Sequence, residues 1–192
     1  MIEVRFHGRG GQGAVVAAKI LADAFFRESK YVQSFPVFGI ERRGAPVMAF
    51  TRIDEQPIYI RCQVYEPDIV VVLDHTLLGE TDIIGGLKSS GSIILNSARE
   101  DVAAGEFGSF TVAAVNATEI AVRHCLGTKT NPIVNTAILG GFARATSLVR
   151  IGSVLDSIRE GVPKGPDANA AAAREAYERI RIFDTLAGGT SQ

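Results

Sequence analysis

The spacing of apolar residues changes several times along the chain, and each change predicts an element. Ile2–His7 places Ile2, Val4 and Phe6 at every second position and stops at Gly8, the pattern of a strand. From Ala14 to about Glu28 the spacing becomes helical. Val16, Ile20 and Ala24 share one face, with Ala17, Leu21 and Phe25 beside it. So broad an apolar face predicts packing against a sheet and against a partner. Tyr31–Phe35 reads as a second short strand, broken by Pro36 and Gly39, and the stretch from Gly39 to Ala45 reads as a polar loop rich in arginine. Val47–Ile53 reads as a third strand, with Asp54-Glu55 turning the chain into Ile58–Arg61 as a hairpin.

Ile69–Leu73 is a run of five apolar residues, three of them valine, which fits a strand buried on both faces of a parallel sheet. His75 to about Leu87 is expected to be helical, and Gly91 ends that unit. Ser92–Leu95 and Phe110–Val115 read as further buried strands, the second followed by a helix from about Thr118 to Leu126. The remainder is mostly helical. A helix is expected over Ile133–Leu148, a second over Val154–Glu160, and a last one from Pro166-Asp167 to about Ile182. Gly140-Gly141 lies inside the first of these and predicts a close approach by another helix or backbone. In the last, Ala170, Ala173 and Ala176 form a flat face, and Glu175 and Arg179 stand at i,i+4 spacing. The tail Ala187–Gln192 is expected to fray. With no internal repeat or linker, residues 1–192 read as one domain. Its class is α/β: a doubly wound, mainly parallel sheet with an antiparallel hairpin addition at Val47–Arg61 and a helical C-terminal part.

Composition narrows the function. The 192 residues are 46% apolar and 21% charged, with a net charge of −1, so nothing points to nucleic acid. No apolar run approaches the roughly 18 residues of a membrane span. Met1 leads straight into a strand-like stretch rather than a secretory signal, so a cytoplasmic location is expected. The two cysteines, Cys62 and Cys125, are too few for an iron–sulfur cluster and are expected in the core.

Two loops concentrate the chemistry. Gly8-Arg9-Gly10-Gly11-Gln12-Gly13 satisfies Gly-x-Gly-x-x-Gly between a strand and a helix. Missing side chains let a phosphate approach the backbone, and the N–H groups of the helix start face the anion. A dinucleotide site also expects an Asp or Glu about 20 residues on, at the end of the second strand. That end reads Val32-Gln33-Ser34-Phe35, which weakens the dinucleotide reading. The open alternatives are an anion site assisted by Arg9 and Gln12 and a tight turn that only packs. In the second loop, Glu41, Arg42, Arg43 and Gly44 can grip phosphate or carboxylate. Phe35, Phe38 and Ile40 beside them give the mixture of aromatic residues and arginine found at interfaces.

No complete catalytic apparatus accompanies these loops. His7, His75 and His124 have no metal-ligand spacing, and Gly-x-Ser-x-Gly is absent. Asp74-His75 follows a buried strand, where such folds bind ligands, although a helix-capping Asp74 is the simpler reading. Asn131-Pro132 and Asn135 read as residues that open or cap the next helix.

The order of motifs resembles a known family. His7-Gly-Arg-Gly-Gly-Gln-Gly13, continuing Ala-Val-Val-Ala-Ala-Lys-Ile-Leu-Ala22, resembles the gamma subunit of 2-oxoacid:ferredoxin oxidoreductases. Phe35-Pro-Val-Phe-Gly-Ile-Glu-Arg-Arg-Gly-Ala-Pro-Val47 is similar to that family's second motif. Pro67-Asp-Ile-Val-Val-Val-Leu-Asp74 and Asn131-Pro-Ile-Val-Asn-Thr-Ala-Ile-Leu-Gly-Gly141 are similar to its later segments. The resemblance implies oxidative decarboxylation of a 2-oxoacid such as pyruvate to an acyl-CoA, with electrons passed to ferredoxin. It implies alpha, beta and delta partner subunits that carry thiamine diphosphate, magnesium and iron–sulfur clusters. The gamma chain itself then bears no catalytic residue and no metal. Gly8, Arg9, Gly10, Gly11, Gln12 and Gly13 would form a loop toward coenzyme A or a partner, and Glu41, Arg42, Arg43 and Gly44 a second. Where the family can have two glycines after the arginine, this chain has Gly44-Ala45. The competing reading is a self-sufficient dinucleotide-binding oxidoreductase.

Overall fold

In the computed structural model, which describes residues 1–37, 44–99, 107–108 and 110–183, strand β1 (Ile2–Arg9) leads through the glycine loop into helix α1 (Ala14–Phe26). Then come β2 (Tyr31–Pro36), β3 (Pro46–Asp54), β4 (Ile69–Val72), a short 3-10 turn (His75–Gly79), β5 (Ser92–Asn96), β6 (Thr111–Val115) and α2 (Ala117–Arg123). A two-stranded ribbon of β7 (Gly127–Thr128) and β8 (Asn131–Pro132) precedes α3 (Ala137–Thr146), α4 (Ile151–Gly161), α5 (Pro166–Arg179) and β9 (Arg181–Phe183). The tail from residue 184 lies outside the described residues.

The seven-stranded sheet has the order β2-β3-β1-β4-β5-β6-β9. Strands β1, β4, β5 and β6 run parallel, with Val4 opposite Ile69 and His7 opposite Val72. β3 is antiparallel to both β1 and β2, and β9 is antiparallel to β6. The antiparallel addition is therefore the β2–β3 pair, with Phe35 opposite Phe50, and not the expected Val47–Arg61 hairpin. β3 already has a neighbour on each edge, so no ladder remains for Ile58–Arg61, and Pro57 has no N–H to donate. The irregular stretch is held by side chains instead. Gln33 Nε2 donates to Ile58 O at 3.0 Å, and Arg52 donates to Ile60 O at 3.4 Å and Gln63 O at 3.1 Å. Arg52, only 1% exposed, also pairs with Glu3 at 2.7 Å, which compensates its burial.

Both faces of the sheet are covered, as the doubly wound arrangement requires, but unequally. Val4, Phe6, Ile69, Val71, Ile94 and Ala113 face the layer that holds all five described α-helices. Val70, Val72, Ile93, Leu95 and Val112 face the other side, where Leu77, Ile83, Leu87 and Phe107 cover them. The expected helix over His75–Leu87 is on this thin side and shrinks to the 3-10 turn. Arg5, buried in the sheet, donates to Ile83 O at 2.9 Å and to Gly85 O at 2.7 Å, taking carbonyls that a helix would need. Gly86 follows in the left-handed region at φ +75°.

On the thick side α3 and α5 nearly touch. A Cβ on Gly140 would lie 1.7 Å from the carbonyl oxygen of Ala173, so the close approach expected of Gly140-Gly141 is present. Ala170, Ala173 and Ala176, the flat face of α5, are buried. The helix expected from Ile133 starts only at Ala137, because Asn131-Pro132 pairs with Gly127-Thr128. The last helix stops at Arg179, and Arg181–Phe183 instead pairs with the open edge of β6. Val16 is exposed although Ile20 and Ala24 are buried, and both cysteines are exposed rather than in the core. Cys125 sits in the left-handed region just after α2.

Candidate functional site

The glycine loop is set at the point where the chain changes faces. From β1 it passes through α1 on the thick side, whereas the connection from β4 to β5 crosses the thin side. The carboxyl ends of β1 and β4 therefore flank a switch point, the place where open α/β sheets take ligands. A cleft of about 510 Å³ opens there, lined by Arg9–Gln12, Gly44, Asp74, His75, Asn96, Thr118 and the ribbon residues Thr130–Pro132. A second cleft of about 430 Å³ lies on the other side of the same loop, between Gly10, Gly11, Gly13, Ala14 and Val15 and the apolar residues Pro36, Val37, Val47 and Met48.

Glycine is required in the loop by conformation and by space. Gly11 and Gly13 have φ of +99° and +83°. A Cβ on Gly13 would meet Asn135 Nδ2 at 2.4 Å, whereas one on Gly11 would meet nothing within 4 Å. Asn135 does not cap α3 as expected. It is buried against Gly13, and its Oδ1 has no hydrogen-bond partner. No side chain caps the start of α1 either, so its first-turn N–H groups keep their partial positive charge.

Side chains clamp the loop. Gln12 Oε1 accepts from Arg9 N at 2.8 Å, and Gln12 Nε2 donates to Asp74 Oδ2 at 2.7 Å. The other oxygen of Asp74 accepts from Thr76 N at 3.0 Å and Thr76 Oγ1 at 2.7 Å, so Asp74 does cap the turn after β4, as expected. Burial pushes the Asp74 carboxyl up, but the hydrogen bonds from Thr76 and Gln12 and the charge of Arg9 outweigh it and hold the group below the ordinary range. Arg9 is engaged all round. It donates to Glu80 Oε1 and Thr76 Oγ1 at 2.7 Å each and to Gly44 O at 3.2 Å, and its Nε stands 3.3 Å from Asp74. The hydrogen bond to Glu80 raises its pKa further. Two carboxylates thus balance Arg9, which acts as a strut rather than as surplus positive charge.

The structure joins the two predicted loops at one end. Gly10 N donates to Ala45 O at 2.9 Å, and Gly44 N donates to Gly10 O at 3.1 Å. Glu41, Arg42 and Arg43 lie outside the described residues. Sequence reading missed Thr76 and Glu80, whose only signal was their place just beyond Asp74, and Asn96 and Thr118, which bond each other beneath the cleft at 3.0 Å. The dinucleotide reading loses further support. β3 separates β1 from β2, and the end of β2 offers Phe35 and Pro36 where a ribose would need a carboxylate. Among the described residues no three His, Cys, Asp or Glu side chains gather to hold a metal ion. No helix among them is long and apolar enough to cross a membrane.

Comparison with known proteins adds a second line of evidence. Residues 3–179 match the family described as pyruvate ferredoxin/flavodoxin oxidoreductase. The chain is 54% identical over 188 residues to the "pyruvate/ketoisovalerate oxidoreductases common subunit gamma" of Pyrococcus furiosus, covering 96% of this chain and all of the relative. Among solved structures, the pyruvate oxidoreductase subunit PORC of Thermotoga maritima superposes with a TM-score of 0.80 at 36% identity, covering 95% of this chain and 98% of that one. The 2-oxoglutarate:ferredoxin oxidoreductase of Magnetococcus marinus shares the fold, with a TM-score of 0.67 at 19% identity. It covers 92% of this chain but only 30% of its own.

Proposed function

The chain belongs to the pyruvate ferredoxin/flavodoxin oxidoreductase family, and we propose that it is the non-catalytic gamma-type subunit of a heteromeric 2-oxoacid:ferredoxin oxidoreductase. The complex would convert a 2-oxoacid, pyruvate in the first instance, to an acyl-CoA and pass electrons to ferredoxin. Thiamine diphosphate with magnesium, and the iron–sulfur clusters, would be carried by alpha, beta and delta partners in the cytoplasm. The observation that carries this reading is the end-to-end match at 54% identity to a relative named as a common gamma subunit. The site agrees with it: a glycine loop held by its own side chains at a switch point of the sheet.

Within the complex, the proposal gives the glycine loop a positioning role toward coenzyme A and the neighbouring subunits. Gly10 and Gln12 donate their N–H groups inside the chain. Among the described residues, Gly11 and the uncapped first turn of α1 are donors that could face a diphosphate. The apolar wall of Pro36, Val37, Val47 and Met48 suits an uncharged arm of the same ligand. Because Arg9 is held by its own chain, Arg42 and Arg43 are the arginines proposed to meet coenzyme A phosphates.

The test is reconstitution. The purified chain should reduce no dye with pyruvate and coenzyme A, and adding the partner subunits should restore the reaction. Turnover by the isolated chain would contradict the assignment. In the assembled enzyme, Arg42→Ala and Arg43→Ala should raise the apparent KM for coenzyme A. An unchanged KM would move the second loop to subunit packing.

A further inference from the structure

We infer that Asp74 is the positioning residue for the glycine loop, fixing the orientation of Gln12 and the strut Arg9 and through them the backbone presented to coenzyme A or a partner. This rests on the functional reading above and deepens it. Four of the six residues in Gly8–Gly13 are glycine. Ordering a residue costs about 1–2 kcal/mol of backbone entropy, and glycine more than most. A loop of this composition keeps one shape only if anchors outside it hold it.

Apart from the backbone pair that joins Gly10 to Gly44 and Ala45, the loop has two side-chain anchors among the described residues, Gln12 and Arg9, and both meet Asp74. Asp74 is well placed to serve. It follows β4 directly, and the preceding residue continues the sheet, with Leu73 N donating to His7 O at 2.8 Å. Its Oδ1 is locked by the two bonds from Thr76, which leaves Oδ2 aimed at Gln12 Nε2. That bond decides which way the Gln12 amide points. With nitrogen toward Asp74, the amide oxygen faces Arg9 N and closes the turn at 2.8 Å. A flip of the amide would set donor against donor at Arg9 and oxygen against carboxylate at Asp74. The carboxylate therefore specifies the turn through a single relay, Asp74 to Gln12 to the Arg9 backbone.

This chemistry makes a reciprocal exchange informative. Asp74→Asn keeps an oxygen for Thr76 but turns an N–H toward the Gln12 N–H. Gln12→Glu keeps an oxygen for Arg9 N but sets two carboxylates face to face. The double variant Q12E/D74N restores the relay through position 12 with the middle donor and acceptor exchanged and conserves net charge. It gives up the Arg9–Asp74 ion pair, and Glu80, Thr76 and Gly44 still hold Arg9.

Each variant should be assembled with the partner subunits and measured for KM and kcat with coenzyme A and for subunit affinity, with thermal melting of the chain as a check on folding. Each single change should raise the KM for coenzyme A about tenfold with kcat little changed, the scale of one lost hydrogen bond to a charged group. The double variant should return to within about twofold of the starting protein. Singles without effect on KM or on subunit affinity, or effects that simply add in the double variant, would overturn the role of Asp74. The same loss and rescue seen in subunit affinity with an unmoved KM would uphold Asp74 as the positioning residue and remove coenzyme A from the loop.

Discussion

The paired glycines Gly140-Gly141 and Gly10-Gly11 stand side by side for different physical reasons. At Gly140 the need is space, because the backbone of α5 runs where a side chain would stand, with Ala173 O 1.7 Å from the Cβ position. At Gly11 there is open space, and the need is conformation, with φ at +99°. The first is a contact between core helices and contributes to the fold alone. The second shapes a surface at the switch point, the place where open α/β sheets take ligands. Gly13 stands between the two cases, having both a left-handed backbone and Asn135 pressed against it.

The contrast can be tested in order of expected effect. Gly140→Ala forces α3 and α5 apart and should cost about 3 kcal/mol or more, a large part of the stability of an ordinary domain. Urea unfolding that moves by less than about 1 kcal/mol would show that the helices separate easily. Acid should act on the residue that precedes the loop. His7 is buried with Nε2 unpartnered, and burial, helped by Arg5 and opposed by Asp82, lowers its pKa to about 4. The unfolded chain takes up a proton near pH 6.5 and the folded chain only near 4. Stability from this group is therefore whole above about pH 6.5, falls as pH drops through the interval, and is lost below about 4. The loss amounts to about 3 kcal/mol. A His7→Gln variant should lack that slope in melting curves taken across the interval.

The smaller effects belong to the loop itself. Gly13→Ala should cost about 2 kcal/mol, combining left-handed strain with displacement of Asn135. Gly11→Ala should cost only about 1 kcal/mol in the isolated chain while weakening coenzyme A use or subunit binding in the complex. Equal effects of these two changes in both settings would erase the distinction between packing and presentation.

The parts of this molecule that were legible in the sequence are those specified locally. β1, β4, β5 and β6 announce themselves by alternation or by unbroken apolar runs, and Gly140-Gly141 by its cost to a helix. The parts that were not legible depend on distant partners. His75–Leu87 has apolar spacing that suits a helix, but Arg5, some 80 residues earlier, captures its carbonyls. Ile58–Arg61 has strand-like composition, but β3 has no edge left to pair with it. The glycine loop was visible by its spacing, and its clamp was not, because Asp74 is 62 residues from Gln12 and reads locally as a cap. Arg9 read as one aid to an anion site beside the alternative of a turn that only packs, and its bonds to Glu80, Thr76 and Gly44 were not visible in the sequence.

In the assembled oxidoreductase the loop between β1 and α1 is expected to be a presented surface. Amide hydrogen exchange, compared between the isolated chain and the complex, measures this directly. New protection should appear over residues 10–16 and 44–48, with α3 and α5 unchanged. Unaltered exchange at the glycine loop on assembly and on addition of coenzyme A would contradict the account.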